Sequence, residues 1–219
     1  IKQLLDDGAI GAFRHASVEI QTNSSPLELG RPWRLDPAHG GGVLNEFGSH
    51  FIDRFRQWFG DLSSVSAELA SFPPPTDADL ATEDWLRLTC TFEDGGLATL
   101  VISWVADPPQ GLRAVIVGAE GVLTAQQAAR GVMLTDGEIA LGRRGEEALT
   151  PVSPPDDQRD FDTANGELAV SRRLIDAFDR GIGTGVSPAP NFRDALHSQI
   201  AIDAIRESAA SGRTVHLTR

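Results

Sequence analysis

Three consecutive glycines, Gly40 to Gly42, open a stretch that closes at Gly60 and carries Leu44, Phe47, Phe51, Phe55 and Trp58 at three- and four-residue steps. That spacing is the period of one buried helical face, and it predicts a helix from about Val43 to Phe59. Gly60 supplies the stop just past the last periodic residue. Along this apolar stripe sit Glu46 and His50, four residues apart. Side chains at that spacing lie one above the other on a helix face. A carboxylate beside an imidazole raises the imidazole's pKa and orients its ring, which suits a general acid/base near neutrality. Asp53 extends the same polar edge by one turn. A polar strip of this kind costs stability when buried unless its groups are paired or used. The spacing alone leaves a second reading open, a solvated surface pair worth roughly a few tenths of a kcal/mol.

Charge bounds the partners. The formal net charge is −12, which repels nucleic acid and anionic membranes, since both demand basic patches. Neither is expected as a partner. No apolar run approaches the roughly 18 residues that span a bilayer, and no signal-peptide pattern opens the chain. The single cysteine, Cys90, excludes an internal disulfide framework and fits a cytoplasmic location. It falls in a predicted strand, where it reads as a small buried hydrophobe. At 219 residues the chain has room for one sizeable domain, or at most two small ones.

Taken in order, Ile1 to Asp7 reads as the tail of a helix stopped by Gly8. The chain starts without Met or an N-cap, the pattern expected of a domain excised from a longer protein. Gly11 to Thr22 alternates as a strand, and Asn23 to His39 reads as an ordered loop carrying Trp33, a candidate pocket wall. Strands are expected at Val65–Phe72, Trp85–Phe92 and Leu97–Val105, with a hairpin at Asp94-Gly95 and a solvated acidic loop running through Asp84. Short strands follow at Leu112–Val117, Gly121–Ala125, Val132–Thr135 and Glu138–Leu141, with Asp136-Gly137 as a turn. Gly145 to Asp160 reads as a surface loop. Two helices are expected, about Phe161–Arg180 stopped by Gly181 and about Asn191–Ala210 followed by Gly212, and then a short strand at Val215–Leu217.

Six to eight mostly antiparallel strands followed by helices do not make the βαβ alternation of a doubly wound fold. No G-x-G-x-x-G follows any strand. The expectation is therefore one α+β domain over residues 1–219, an open, mostly antiparallel sheet with helices on one face and no Rossmann domain.

Among other candidates, His39 abuts the glycines and could approach a ligand, and His197 lies on the last helix three residues after Asp194. His15 and His216 fall in strands and read as structural. No two histidines have metal-ligand spacing and Cys90 stands alone, so no metal is expected. The absence of G-x-S-x-G sets aside an α/β-hydrolase. Arg34 could anchor a substrate hydroxyl or carboxylate, or could form a structural salt bridge to Asp36 or to the helix.

The series Trp33-Arg34, Asp36, Gly40 to Gly42, Leu44, Glu46, Gly48, His50, Asp53, Trp58 and Gly60 resembles the signature of the glucose–fructose oxidoreductase / inositol dehydrogenase (Gfo/Idh/MocA) family. The segment AIDAIRESAASGRTVHL resembles its terminal helix and strand. The resemblance implies the C-terminal, substrate-binding domain of an NAD(P)-dependent oxidoreductase acting on a sugar, polyol or related hydroxy compound. It implies NAD or NADP in the full-length parent and none bound by this chain alone, because the Rossmann domain and its catalytic Lys lie outside it. It places His50 as the acid/base and Glu46, where the family usually has Asp, beside it as the second catalytic residue. Beside this pair, Trp33, Arg34, His39, Asp53 and His197 are the candidate substrate-binding residues, and Gly40, Gly41 and Gly42 are candidate cofactor contacts. The resemblance also implies a homo-oligomer joined through the open sheet face. A non-catalytic domain of the same fold and a nicotinamide-dependent glycosidase are the alternatives.

Overall fold

In Phe13–Gln21 (β1), Ala16, Val18 and Ile20 are buried while Ser17 and Glu19 are exposed. This period-2 pattern makes a strand with one dry and one wet face. The same parity runs through Trp85–Phe92 (β3), Leu97–Ser103 (β4) and Gly111–Gly118 (β5). These four join Leu62–Ala70 (β2), Gly121–Arg130 (β6), Met133–Arg143 (β7), Thr150–Val152 (β8) and Val215–His216 (β9) in a nine-stranded sheet of order β8-β7-β6-β5-β1-β4-β3-β2-β9. Among the described residues, only the β1–β4 pairing is parallel. The computed structural model describes residues 1–23, 32–72, 82–130, 133–153 and 166–217. Among these, no helix is long and apolar enough to cross a membrane.

Helices cover the dry face: Lys2–Asp6 (α1), Ser49–Phe59 (α2) and Phe192–Ser211 (α4), with Gly166–Thr184 (α3) running before α4. Phe51, Ile52, Phe55 and Phe59 of α2 are buried in the main core with Leu86, Leu88, Phe92, Leu100 and Ile102. Phe59 stacks on Phe13 with ring centroids 3.9 Å apart, and Phe55 and Phe59 both meet Phe92 edge-on. Aromatic pairs of this geometry contribute about 0.5–1.5 kcal/mol beyond the area they bury. On α4, Ala201, Ile202, Ala204 and Ile205 complete the core. Its buried Ser208 hydroxyl accepts from Ala67 N at 3.0 Å and donates to Arg213 O at 2.6 Å, so it enters the core satisfied. Asn191 and Asp194 close a capping box at the start of α4, and Gly212 ends it in a left-handed conformation.

The α+β class and the open sheet agree with the sequence reading, but several local expectations do not hold. Asp136-Gly137 is no turn, because β7 runs unbroken and Gly137 pairs with Gln127 of β6. The expected loop from Gly145 yields β8, laid against β7; residues 154–160 lie outside the described residues, as do 161–165 at the expected start of α3. Gly181 does not stop α3, which continues to Thr184; Gly185, at φ +69°, follows it. Gly181 is needed for another reason: a Cβ there would stand 2.8 Å from Pro188 Cδ as the chain folds back. Trp58 is half-buried and leaves the innermost places to Ile52 and Phe59. The acidic loop is not solvated at its end, where Thr82 and Asp84 are buried.

Cys90 is fully buried on β3, and burial pushes its thiol pKa up to about 12. A thiol-specific disulfide reagent at pH 8 should leave the folded protein untouched and label it once it is unfolded. Rapid labelling of the folded protein would contradict the packing described here.

Candidate functional site

Three devices fix the start of the α2 helix. Leu44–Gly48 form a π-helical turn that leads directly into α2. Such turns are rare and recur at functional sites. Within it, Glu46 forms an ion pair with Arg34, whose side chain is 12% exposed against 19% for Glu46. At the same end, Val43 N donates to Glu83 O at 2.9 Å and Leu44 N to the Glu83 carboxylate at 3.2 Å, which satisfies amides that a helix N-terminus leaves open.

The glycines make this closeness possible. A Cβ on Gly41 would stand 2.2 Å from Arg34 O, and one on Gly42 would stand 2.4 Å from Glu83 Oε1, with Gly42 also at φ +102°. Their amides are engaged within the chain: Gly40 N donates to Pro37 O, Gly41 N to Asp36 O and Gly42 N to Arg34 O. A phosphate cradle needs such N–H groups turned toward the anion. Gly40, Gly41 and Gly42 thus serve the packing of the loop against the helix, with their amides turned to the chain. Thr82 Oγ1 adds a hydrogen bond to Arg34 O at 3.2 Å. Next to it, Asp84 accepts from Phe72 N at 2.9 Å; burial pushes its carboxyl above the ordinary value, with that hydrogen bond opposing.

The remaining expected residues are placed as follows. His50 is exposed on the first turn of α2. Glu46 forms an ion pair with the Arg34 guanidinium. Asp53 accepts from Gln57 at 2.6 Å along the same helix. Trp33 is half-exposed, with the Arg34 guanidinium 5.6 Å from its ring centre. His39 points to Asp36, 2.7 Å away on the exposed rim, and that hydrogen bond first of all lowers the Asp36 pKa. His197 is not brought to His50. Arg56 donates to His197 Nδ1 at 3.0 Å, to Asp194 O at 2.9 Å and to Asp61 at 2.9 Å, clamping α2 to α4 toward the far end of α2. Burial alone would raise the Asp61 pKa, but Arg56 and His197 together outweigh it and hold the carboxyl below its ordinary value. Among the described residues no cluster of three or more His, Cys, Asp or Glu side chains could hold a metal.

Beside α2 lies a cavity of about 320 Å³ that the sequence reading did not identify. Phe51, Arg54 and Trp58 of α2 line it, against Val18, Leu112, Ala114, Ala125 and Ile139 of the sheet. The signal was present in Arg54 and Trp58, four residues apart beside the aromatic series, but nothing in the sequence says what stands opposite them.

Comparison with known proteins supplies the family context. The GFO/IDH/MocA C-terminal domain family matches residues 1–124. Levoglucosan dehydrogenase of Pseudarthrobacter phenanthrenivorans is 27% identical over 244 residues, covering 95% of this chain and 60% of the relative. An uncharacterized oxidoreductase of Synechocystis sp. is 24% identical over 225 residues, covering 95% of this chain and 58% of the relative. Among solved structures, levoglucosan dehydrogenase in complex with NADH and levoglucosan superposes with a TM-score of 0.78 at 21% identity, over 100% of this chain and 62% of that one. The chain thus spans about three-fifths of the length of these relatives.

Removing one member of a largely buried ion pair leaves an uncompensated charge, at a typical cost of about 3–5 kcal/mol, whereas removing both costs less. Arg34→Ala or Glu46→Ala should each lower stability to urea by about 2–4 kcal/mol. The double substitution should cost less than the sum of the two. Strict additivity would show that the pair does not couple the loop to the helix.

Proposed function

The chain belongs to the GFO/IDH/MocA family, and we propose that it is the substrate-binding and oligomerisation half of an NAD(P)-dependent oxidoreductase acting on a sugar, polyol or related hydroxy compound. The observation that carries this reading is the placement of His50. It is an exposed imidazole on the first turn of a helix held by an ion pair and a carboxylate cap, one turn before a residue that lines a cavity. Preorganisation of this kind is what acid/base chemistry requires of a scaffold.

In this reading His50 takes the proton of the substrate hydroxyl as that carbon is oxidised. Glu46 acts as a positioning residue: through Arg34 it fixes the turn from which His50 projects. Trp33, exposed beside that pair, offers an aromatic surface to the substrate. In this reading the hydride acceptor is a nicotinamide held by a nucleotide-binding domain outside residues 1–219. Aqueous, cytoplasmic operation fits the buried, reduced Cys90.

The wet sheet face is the proposed oligomer surface. It is largely polar. One row across the sheet reads Ser66, Thr89, Thr99, Ser17, Val115 and Thr124, and the next carries Glu68, Arg87, Val101, Glu19 and Arg113. Small and β-branched residues flanked by alternating charges suit a second copy related by a twofold axis.

His50→Ala in the full-length enzyme should lower kcat by roughly 100- to 10,000-fold. Unchanged turnover would remove His50 from the mechanism. Sedimentation should give a dimer or larger species, and Val115→Glu should shift it toward monomer. A monomeric unsubstituted protein would overturn the interface.

A further inference from the structure

The cavity beside α2 has an origin in the sheet. Val18, Ala114, Ala125 and Ile139 stand opposite one another across β1, β5, β6 and β7, and Leu112, Gln127 and Gly137 form the next row. Two alanines and a glycine at these inward positions remove side-chain volume, and the hollow follows. At about 320 Å³ it falls at the lower end of the ~300–1,000 Å³ typical of small-molecule sites.

Its lining is unlike an ordinary packing defect. Arg54 lies with its guanidinium 4.9 Å from the Phe51 ring centre and has no hydrogen bond or ion pair among the described residues. It remains reachable from solvent, yet burial around the guanidinium lowers its pKa, with the Asp53 charge acting the other way. The cavity's other cation, Lys2, is already paired with Asp6 at 2.7 Å. A guanidinium in a concave, partly apolar recess that makes no ion pair among the described residues is suited to accept a carboxylate in bidentate fashion. Trp58 offers a ring face, and Gln127 and Glu138 line the opposite wall as partners for hydroxyl groups.

We propose that this cavity seats a sugar acid, its carboxylate on Arg54 and its ring against Trp58, with the hydroxyl to be oxidised at His50. The proposal rests on the acid/base reading of His50 given above. His50, Arg54 and Trp58 follow one another at steps of four along α2 and so share one side of it. Side chains four residues apart have Cβ atoms about 5–6 Å from each other. His50 stands one turn beyond the cavity lining, so a carboxylate on Arg54 and a hydroxyl at His50 belong to opposite ends of the ligand. A uronic acid satisfies this; a 2-hydroxy acid, whose carboxylate adjoins the reacting carbon, does not.

The test is calorimetric titration of the full-length protein with D-glucuronate and D-galacturonate, each beside its neutral counterpart, D-glucose and D-galactose. The uronates should bind at least about tenfold more tightly than the neutral sugars, the effect of one charge-assisted pair. Arg54→Gln should weaken uronate binding by roughly 10- to 100-fold and leave neutral-sugar and NADH affinity within about twofold, while Arg54→Lys restores part of the loss. Equal affinity for acid and neutral sugars, no uronate binding, or a preference that survives Arg54→Gln would overturn the proposal. Loss of the His50 role would appear separately, as unchanged turnover in His50→Ala or failure of the full-length protein to bind NADH.

Discussion

Everything the candidate site can do depends on the contact between Arg34 and Glu46. A charged pair this far from water is a poor source of net stability, because desolvation consumes most of the Coulombic gain. What it supplies is registry. Glu46 sits in the π-turn and Arg34 in the short 3₁₀ segment Pro32–Leu35, so the pair ties a loop to the first turn of α2 at one point. The glycines let the two backbones approach, and Glu83 closes the helix end. His50 then projects from a helix whose start has little freedom.

The α2 helix separates two environments. Phe51, Phe55 and Phe59 drive it onto the sheet, and Arg56 clamps its far end to α4 through His197, Asp194 and Asp61. On another side, His50, Arg54 and Trp58 keep polar or amphipathic groups outside the main core. The hollow under that side exists because β5, β6 and β7 carry small residues where a closed core would carry large ones.

Much of this was legible in the sequence. The aromatic period located the end of α2 at Phe59, while the start it placed at Val43 falls before the π-turn Leu44–Gly48 that precedes Ser49; alternation located β3 with its bounds intact. The Gfo/Idh/MocA signature gave the family. What escaped were the facts decided by tertiary partners. Asp136-Gly137 looks like a hairpin signal, yet β6 is long enough to pair on both sides of it. Glu46 and His50 have the spacing of a couple, and nothing local announces that Arg34, twelve residues upstream of Glu46, also pairs with the carboxylate. His197 resembles a pocket residue until Arg56 is seen beside it. Gly40 to Gly42 resemble a ligand loop, and only the positions of Arg34 O and Glu83 reveal why side chains are excluded there. Long-range partners of this kind leave no local pattern to read.

The central claim is that this chain carries the substrate side of a redox site and borrows its nicotinamide from elsewhere in the protein. NADH titration followed by tryptophan fluorescence, run in parallel on this chain and on the full-length protein, tests it most directly. The account predicts saturable binding by the full-length protein and none by this chain. Binding by this chain alone would contradict it, since the glycine amides that would cradle the phosphates are already engaged.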